Sequence, residues 1–355
     1  MHRVTDVVVI GGGQAGLAAG YFLRRTGLEF VILDDHTHPG GAWQHGWQSL
    51  RLFSPAGYSP LPGWPMPAQR GESFPTAGHV LDYLTRYEHR YDLPVHRPVH
   101  VSNVYQDGGQ LFVDTDTGPL KTTAVISATG TWQRPYVPHY PGCEDFTGRQ
   151  LHTVDYDSPE DFTDQRVVIV GGGNSAAQIV AEVSTVAQTL WVTQRRPRFM
   201  PDDVDGRVLF DAATAREAAQ RAGRDHDGVS GLGDIVMVPP VRAARDRGDL
   251  NASPMFERLT SAGVSWADGS EYSCDAIIWC TGFKPHLNHL NGLELTWKNG
   301  HPVTVGTRSI DASGLHLLGY GDWTGFASAT IIGAARTAKS AVADVNEYVR
   351  STQAQ

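Results

Sequence analysis

Continuous apolar runs and helical stripes alternate along this chain in an order that predicts parallel sheets flanked by helices. Val7-Val8-Val9-Ile10 is a β-branched run with no polar alternation, which marks a strand buried on both faces, and glycines follow at once. Leu17, Ala18, Tyr21 and Phe22 then share one side of a helix over Leu17–Arg25. A second strand, Phe30-Val31-Ile32-Leu33, ends in Asp34. Val80, Leu81, Leu84 and Tyr87 predict a helix from about Ala77 to Arg90. Two short strands, Val99–Val104 and Leu111–Thr115, flank Asp107-Gly108-Gly109, a hairpin signal. The opening order then repeats. Val167-Val168-Ile169-Val170 runs into glycines, a helix carries Ala177, Ile179, Val180 and Val183, and the strand Leu190–Thr193 follows. A strand near Leu317-Leu318 and a small-residue helix, Ala329–Tyr348, close the chain. Residues 201–262 interrupt the second repeat with a helical stretch, Asp211–Arg221, and an Asp/Gly-rich loop.

The glycines turn this pattern into chemistry. Gly11, Gly13 and Gly16 stand at GxGxxG spacing between a strand and a helix. The first permits the tight turn, the second admits a pyrophosphate to the backbone, and the third lets helix and strand pack closely. The helix N-terminus offers free N–H groups to phosphate, and Asp34 falls where an acid holds ribose hydroxyls. Gly171 and Gly173 repeat the turn, followed by Asn174 and Ser175, with Ala176 in the third-glycine place. The strand after it ends in Gln194-Arg195-Arg196 and not in an acid. Arginine suits a 2′-phosphate, whereas Asp34 suits a free ribose. The first turn is therefore expected to hold FAD and the second NADPH.

The predicted fold class is α/β, with two Rossmann-like dinucleotide domains and the NAD(P)H domain inserted into the FAD domain. The expected boundaries are 1–155 and 282–355 for the FAD domain and 156–281 for the NAD(P)H domain. Further small-residue segments place backbone against ligand. Gly41, Trp43 and Gln44 lie in Pro39–His45, Ala128 and Gly130 end the strand Ala124–Ser127, and Asp322 follows Gly319-Tyr320-Gly321. Asp322 is expected to face the ribityl chain. The proline- and aromatic-rich stretch 60–75 is expected to wall a substrate pocket.

Size and composition narrow the class. A chain of 355 residues holds two cores, and a net charge of −9 without basic clusters argues against a nucleic-acid surface. Nothing approaches 18 consecutive apolar residues, so no membrane partner is expected. The three cysteines, Cys143, Cys274 and Cys280, form no CxxC pair, which fits a reducing, cytoplasmic setting. His36-x-His38 and His286-x-x-His289 stand without further ligands, and no metal site is predicted.

Phe146-x-Gly148-x-x-x-His152-x-x-x-Tyr156 precedes the second turn. This pattern matches FxGxxxHxxxY, and with both glycine turns the whole chain resembles the small bacterial flavin-containing monooxygenases, including those of arsenic-resistance operons. The resemblance implies an FAD enzyme that takes hydride from NADPH, with NADH also accepted. It implies that O2 adds at flavin C4a and that one oxygen atom passes to a small organic substrate. Thioether sulfur or amine nitrogen is the expected acceptor, and ketones remain open because Asp157 follows Tyr156 where the mammalian-type pattern often has Lys. It assigns Gly11, Gly13, Gly16, Asp34, Gly41 and Trp43 to FAD. It assigns Gly171, Gly173, Asn174 and Ser175 to the NADP phosphates, and Gln194 and Arg195 to nucleotide selectivity. His152 and Tyr156 are expected to link the domains without moving protons. Phe53 stands where many members place a flavin-adjacent asparagine. An NAD(P)H oxidase that releases hydrogen peroxide and a non-catalytic redox sensor are the alternatives. A disulfide reductase is disfavoured for want of a dithiol, and a homodimer is the family expectation.

Overall fold

The structure is a computed structural model that describes residues 3–202, 204, 208 and 234–354. The predicted helix at 211–221 lies outside them. The chain forms two compact units, one of Met1–Gln44, Ala56–Arg134 and Pro285–Gln355, the other of His45–Pro55 and Pro135–Lys284.

The first unit is built on β1 (Arg3–Ile10), which pairs in parallel with β2 (Phe30–Leu33) and β6 (Leu120–Ser127). β3 (Val95–His96) extends the sheet beyond β2, and the strand Leu315–Leu317 extends it beyond β6. β4 (Val101–Asp107) and β5 (Gln110–Thr115) form the antiparallel hairpin predicted around Gly108-Gly109 and attach to β6. Alternation along each strand sends Val8 and Ile10, Val31 and Leu33, and Leu315 and Leu317 into one core with Val104, Leu111 and Val113 of the hairpin. Each such side chain contributes about 1.5–3 kcal/mol on burial. α1 (Gln14–Leu23) packs against the C-terminal helix Ile331–Gln353. That helix starts two residues later than its apolar pattern suggests because Thr330 caps it, accepting from Gly333 N at 3.1 Å. α2 (Ala77–Arg90) spans the predicted range, with Thr76 as its cap.

The second unit carries an all-parallel sheet. Its order is β10 (Ala252–Pro254), β9 (Gln188–Thr193), β8 (Arg166–Val170), the strand Ala276–Trp279 and β7 (Arg149–His152). β7 places the middle of the FxGxxxHxxxY segment inside this sheet, with Arg149 beside Ala276 and His152 beside Trp279. Besides His45–Pro55, the compact unit takes in Pro135–Lys284. α3 (Asn174–Val183) follows the second turn and packs against the helix Pro239–Arg247. A small antiparallel sheet (258–273) contributes Leu259 and Val264 to one core with Val168, Val170 and Ile277. Among the described residues no helix is long and apolar enough to cross a membrane.

Candidate cofactor sites

The first glycine turn cannot be built from other residues. Gly11 has φ +109°, and a Cβ on it would lie 2.3 Å from the carbonyl oxygen of Ala128. A Cβ on Gly16 would lie 1.8 Å from the oxygen of Gly11. Gly41 stacks on the same turn, where its Cβ would stand 2.7 Å from Gly13 Cα. Thus Gly11, Gly13, Gly16, Gly41 and Ala128, named from separate stretches of sequence, converge at one place. α1 begins there with Gly13 as N-cap and no side chain closing its N-terminus, which leaves its first N–H groups for an anion. Gly130 has φ +68° and faces open space.

Asp34 ends β2 against this turn and is only 3% exposed. Its Oδ1 accepts from His36 Nδ1 at 3.0 Å, and its Oδ2 pairs with Arg97, which also grips Glu88 of α2 at 2.5 and 2.8 Å. Burial works against the carboxylate charge, yet the His36 bond and the Arg97 guanidinium overcome it and hold this carboxyl below its usual value. The His36 imidazole is pushed up by the same bond.

Other expected contacts have structural duties as well. Trp43 Nε1 donates to Gln14 Oε1 at 2.9 Å, and Gln14 Nε2 donates to the carbonyl of Ala329 at 2.7 Å, tying the Pro39–His45 turn to the entrance of the C-terminal helix. Gln44 directs its amide to the carbonyls of His38 and Gly41 and so shapes its own turn. Asp322 is exposed at the start of a single turn, Asp322–Thr324, and accepts from Ala327 N at 3.2 Å.

The second turn repeats the design. Gly171 has φ +140°, and its Cβ would meet the Cys280 carbonyl at 2.3 Å, while Gly173 faces open space. The carbonyl of Gly171 accepts from buried Trp191 Nε1 at 2.6 Å, a contact that only the folded sheet creates. Asn174 turns its amide to residues 234–236, accepting from Val236 N at 2.9 Å and donating to Asp234 O at 3.2 Å. Ser175 sits half-buried in the first turn of α3, and Gln194, Arg195 and Arg196 are exposed beyond β9. Open glycines beside uncapped helix starts, one with a buried acid and one with exposed guanidinium groups, fit two dinucleotides.

The fingerprint histidine is not a free base. His152 is buried, its Nδ1 accepts from Val154 N, and its Nε2 therefore carries the proton given to Gly282 O at 3.0 Å. Desolvation lowers its pKa, so the ring stays neutral. Tyr156 donates to Glu182 Oε2 at 3.0 Å, and Ser49 donates to Oε1 of the same carboxylate at 2.6 Å. Arg51 N donates to Gln178 Oε1 at 3.2 Å, so two α3 side chains hold the segment that carries half-buried Phe53. Sequence reasoning missed Glu182 and Gln178 because at i, i+4 on an amphipathic helix they read as a solvated face.

Two sheets, each with a run of parallel strands opening on a glycine turn at a helix N-terminus, define a two-dinucleotide oxidoreductase. The profile of the pyridine nucleotide-disulphide oxidoreductase family matches residues 8–213, more than half of the chain. A flavin-containing monooxygenase from Stenotrophomonas maltophilia has a solved structure 52% identical in sequence, with TM-score 0.89, covering 98% of this chain and 99% of that one. An uncharacterised CzcO-like oxidoreductase of Geobacillus kaustophilus is 28% identical over 90% of this chain and 92% of its own. A Baeyer–Villiger monooxygenase of Streptomyces coelicolor is 28% identical over 84% of this chain and 70% of its own. The chain belongs to the pyridine nucleotide-disulphide oxidoreductase family and, within it, to the flavin-containing monooxygenases. It is an FAD- and NADP(H)-dependent oxidoreductase, as its glycine turns predict.

Proposed function

We propose that the first unit holds FAD, that the second holds NADPH, and that the enzyme transfers one oxygen atom of O2 to a small soft nucleophile, a thioether sulfur or an amine nitrogen. The observation that carries the nucleotide assignment is the contrast between buried Asp34 behind one turn and exposed Arg195-Arg196 behind the other. When bound, nicotinamide supplies the hydride and flavin the oxygen-activating chemistry. The chain's residues bind and orient. The α1 and α3 N-termini take the pyrophosphates, Asp34 the ribose, and Arg195 with Arg196 the 2′-phosphate. His152 and Tyr156, each committed to a neighbour, hold backbone and carboxylate in place and carry no proton in the reaction. Uncharged Gln194 ahead of the arginines favours acceptance of NADH as well. The name of the Streptomyces relative keeps ketone oxidation as a further capacity. A cytoplasmic homodimer fits three free thiols and the family expectation.

Disulfide chemistry is disfavoured because it needs a thiolate, and burial pushes both Cys274 and Cys280 up to about 12. A peroxide-releasing oxidase is the second reading, favoured by Phe53 in place of an amide. The test is product analysis with NADPH, O2 and an aryl methyl sulfide. Stoichiometric sulfoxide supports the proposal, and peroxide alone overturns it.

The arginines give a sharper check. Replacing Arg195 and Arg196 together by serine raises KM for NADPH about tenfold, the equivalent of one charge-assisted contact near 1.4 kcal/mol, and leaves KM for NADH unchanged. Equal changes for both nucleotides in steady-state assays would remove these residues from 2′-phosphate recognition.

A further inference from the structure

Behind the Ala128–Gly130 turn lies a buried hydrogen-bond chain whose protons can be placed by elimination. Thr129 Oγ1 donates to the carbonyl of His286 at 2.5 Å, which commits its proton. Its contact with Tyr320 Oη at 2.7 Å then requires the tyrosine to donate. Tyr320 in turn accepts from Thr129 N at 3.1 Å and from Ser127 Oγ at 2.6 Å. Ser127, having given its proton, accepts from His289 Nε2 at 2.9 Å. The chain therefore runs one way, from His289 through Ser127, Tyr320 and Thr129 to the carbonyl of His286. Desolvation takes the His289 pKa down to about 3, in keeping with a ring that carries one proton, on Nε2. Burial raises Tyr320, which stays a phenol.

The element delivered by this chain is His286. Its carbonyl ends the relay, and its N–H donates to Gly130 O at 3.0 Å, so both main-chain groups are fixed on the turn beside Gly11. Its ring is not used by the protein. Nδ1 is buried with no partner among the described residues, and an orphaned lone pair there costs less than an orphaned N–H. The proton accordingly sits on Nε2 of this half-buried ring, which makes no bond among the described residues. Arg134, Asp35 and His100 act electrostatically on the ring, and Asp35 pairs with His100 at 3.2 Å next to Asp34. That is the end of β2 where the ribose acid stands.

We propose that His286 is a contact residue for the adenosine end of FAD, donating through Nε2–H to a ribose oxygen or a purine nitrogen, and that Tyr320 positions it. This rests on the reading that the first unit holds FAD. Because the contact is to adenosine, ADP serves as a probe that lacks the flavin. Apo-enzyme is titrated with FAD by flavin fluorescence and with ADP by calorimetry. His286→Ala weakens both ligands about tenfold, the equivalent of one hydrogen bond near 1.4 kcal/mol. His286→Gln, which keeps an N–H donor, restores most of the affinity. Tyr320→Phe keeps the ring stacked on Trp323 (5.6 Å) but frees Thr129, and it weakens both ligands by a smaller, equal factor. Unchanged dissociation constants in His286→Ala overturn the proposal, and so does a loss for FAD with ADP unaffected. If His286→Ala does not fold, unequal or absent effects in Tyr320→Phe overturn it instead. Retention of FAD by Gly16→Ala would mark a different failure, that of the FAD assignment itself.

Discussion

Gly16→Ala yields a protein that has lost its flavin, with FAD affinity down about a hundredfold, or about 2.7 kcal/mol. The new methyl would stand 1.8 Å from the oxygen of Gly11, and that oxygen belongs to the turn, so the turn itself must move. Alanine improves helix propensity by up to about 1 kcal/mol at this position in α1, which helps the fold survive while the site does not. A change at the first glycine of the other turn has the opposite signature. Gly171→Ala combines φ +140° with a Cβ 2.3 Å from the Cys280 carbonyl, and the enzyme stays yellow but is bleached slowly by NADPH. Absorbance at the flavin band after gel filtration, with and without NADPH, separates the two. Flavin kept in Gly16→Ala and lost in Gly171→Ala would reverse the assignment of the units.

Arg97→Ala destabilises the first unit by about 3–5 kcal/mol, the range for removing one partner from a buried ion pair. The guanidinium stands between Asp34, 3% exposed, and Glu88 of α2, and its loss leaves two carboxylates facing each other in the interior. Tm falls by roughly 10 °C, and Glu88→Gln in the same chain recovers part of it. The pH dependence has a definite sign. Asp34 has a folded pKa below its unfolded one, so its contribution is fully present above about pH 5 and is lost as pH falls through the folded value. The gap between wild type and variant is therefore level at neutral pH and narrows below about pH 4. A gap that widens on acidification in thermal melts would contradict this placement of the charge.

Much of this was legible because it is local. The glycine turns, their strands and the helices after them lie within about 30 residues, and backbone sterics demand those glycines whatever surrounds them. The meeting of Gly11 with Ala128 and of Gly171 with Cys280 follows from strands that end side by side. What stayed hidden is non-local. Arg97 reaches Asp34 from 63 residues away, and no spacing rule announces it. Trp191 reads as a core tryptophan until its indole is seen on the Gly171 carbonyl. Asn174 matches a phosphate loop, yet residues 234–236 take both ends of its amide. β7 joins the second sheet from ahead of its glycine turn because strand pairing, not motif order, sets which strands share a sheet.

The enzyme's proposed activity is tested most directly by mixing the anaerobic wild-type protein with NADPH and then with O2 and an aryl methyl sulfide. The oxidised flavin band should bleach with NADPH, return on oxygenation, and leave one sulfoxide for each NADPH consumed. Return of the band with an equivalent of hydrogen peroxide and no sulfoxide, amine oxide or ester from any offered substrate would make the protein an oxidase. Failure of NADPH and NADH alike to bleach the flavin would leave it a binding protein without turnover.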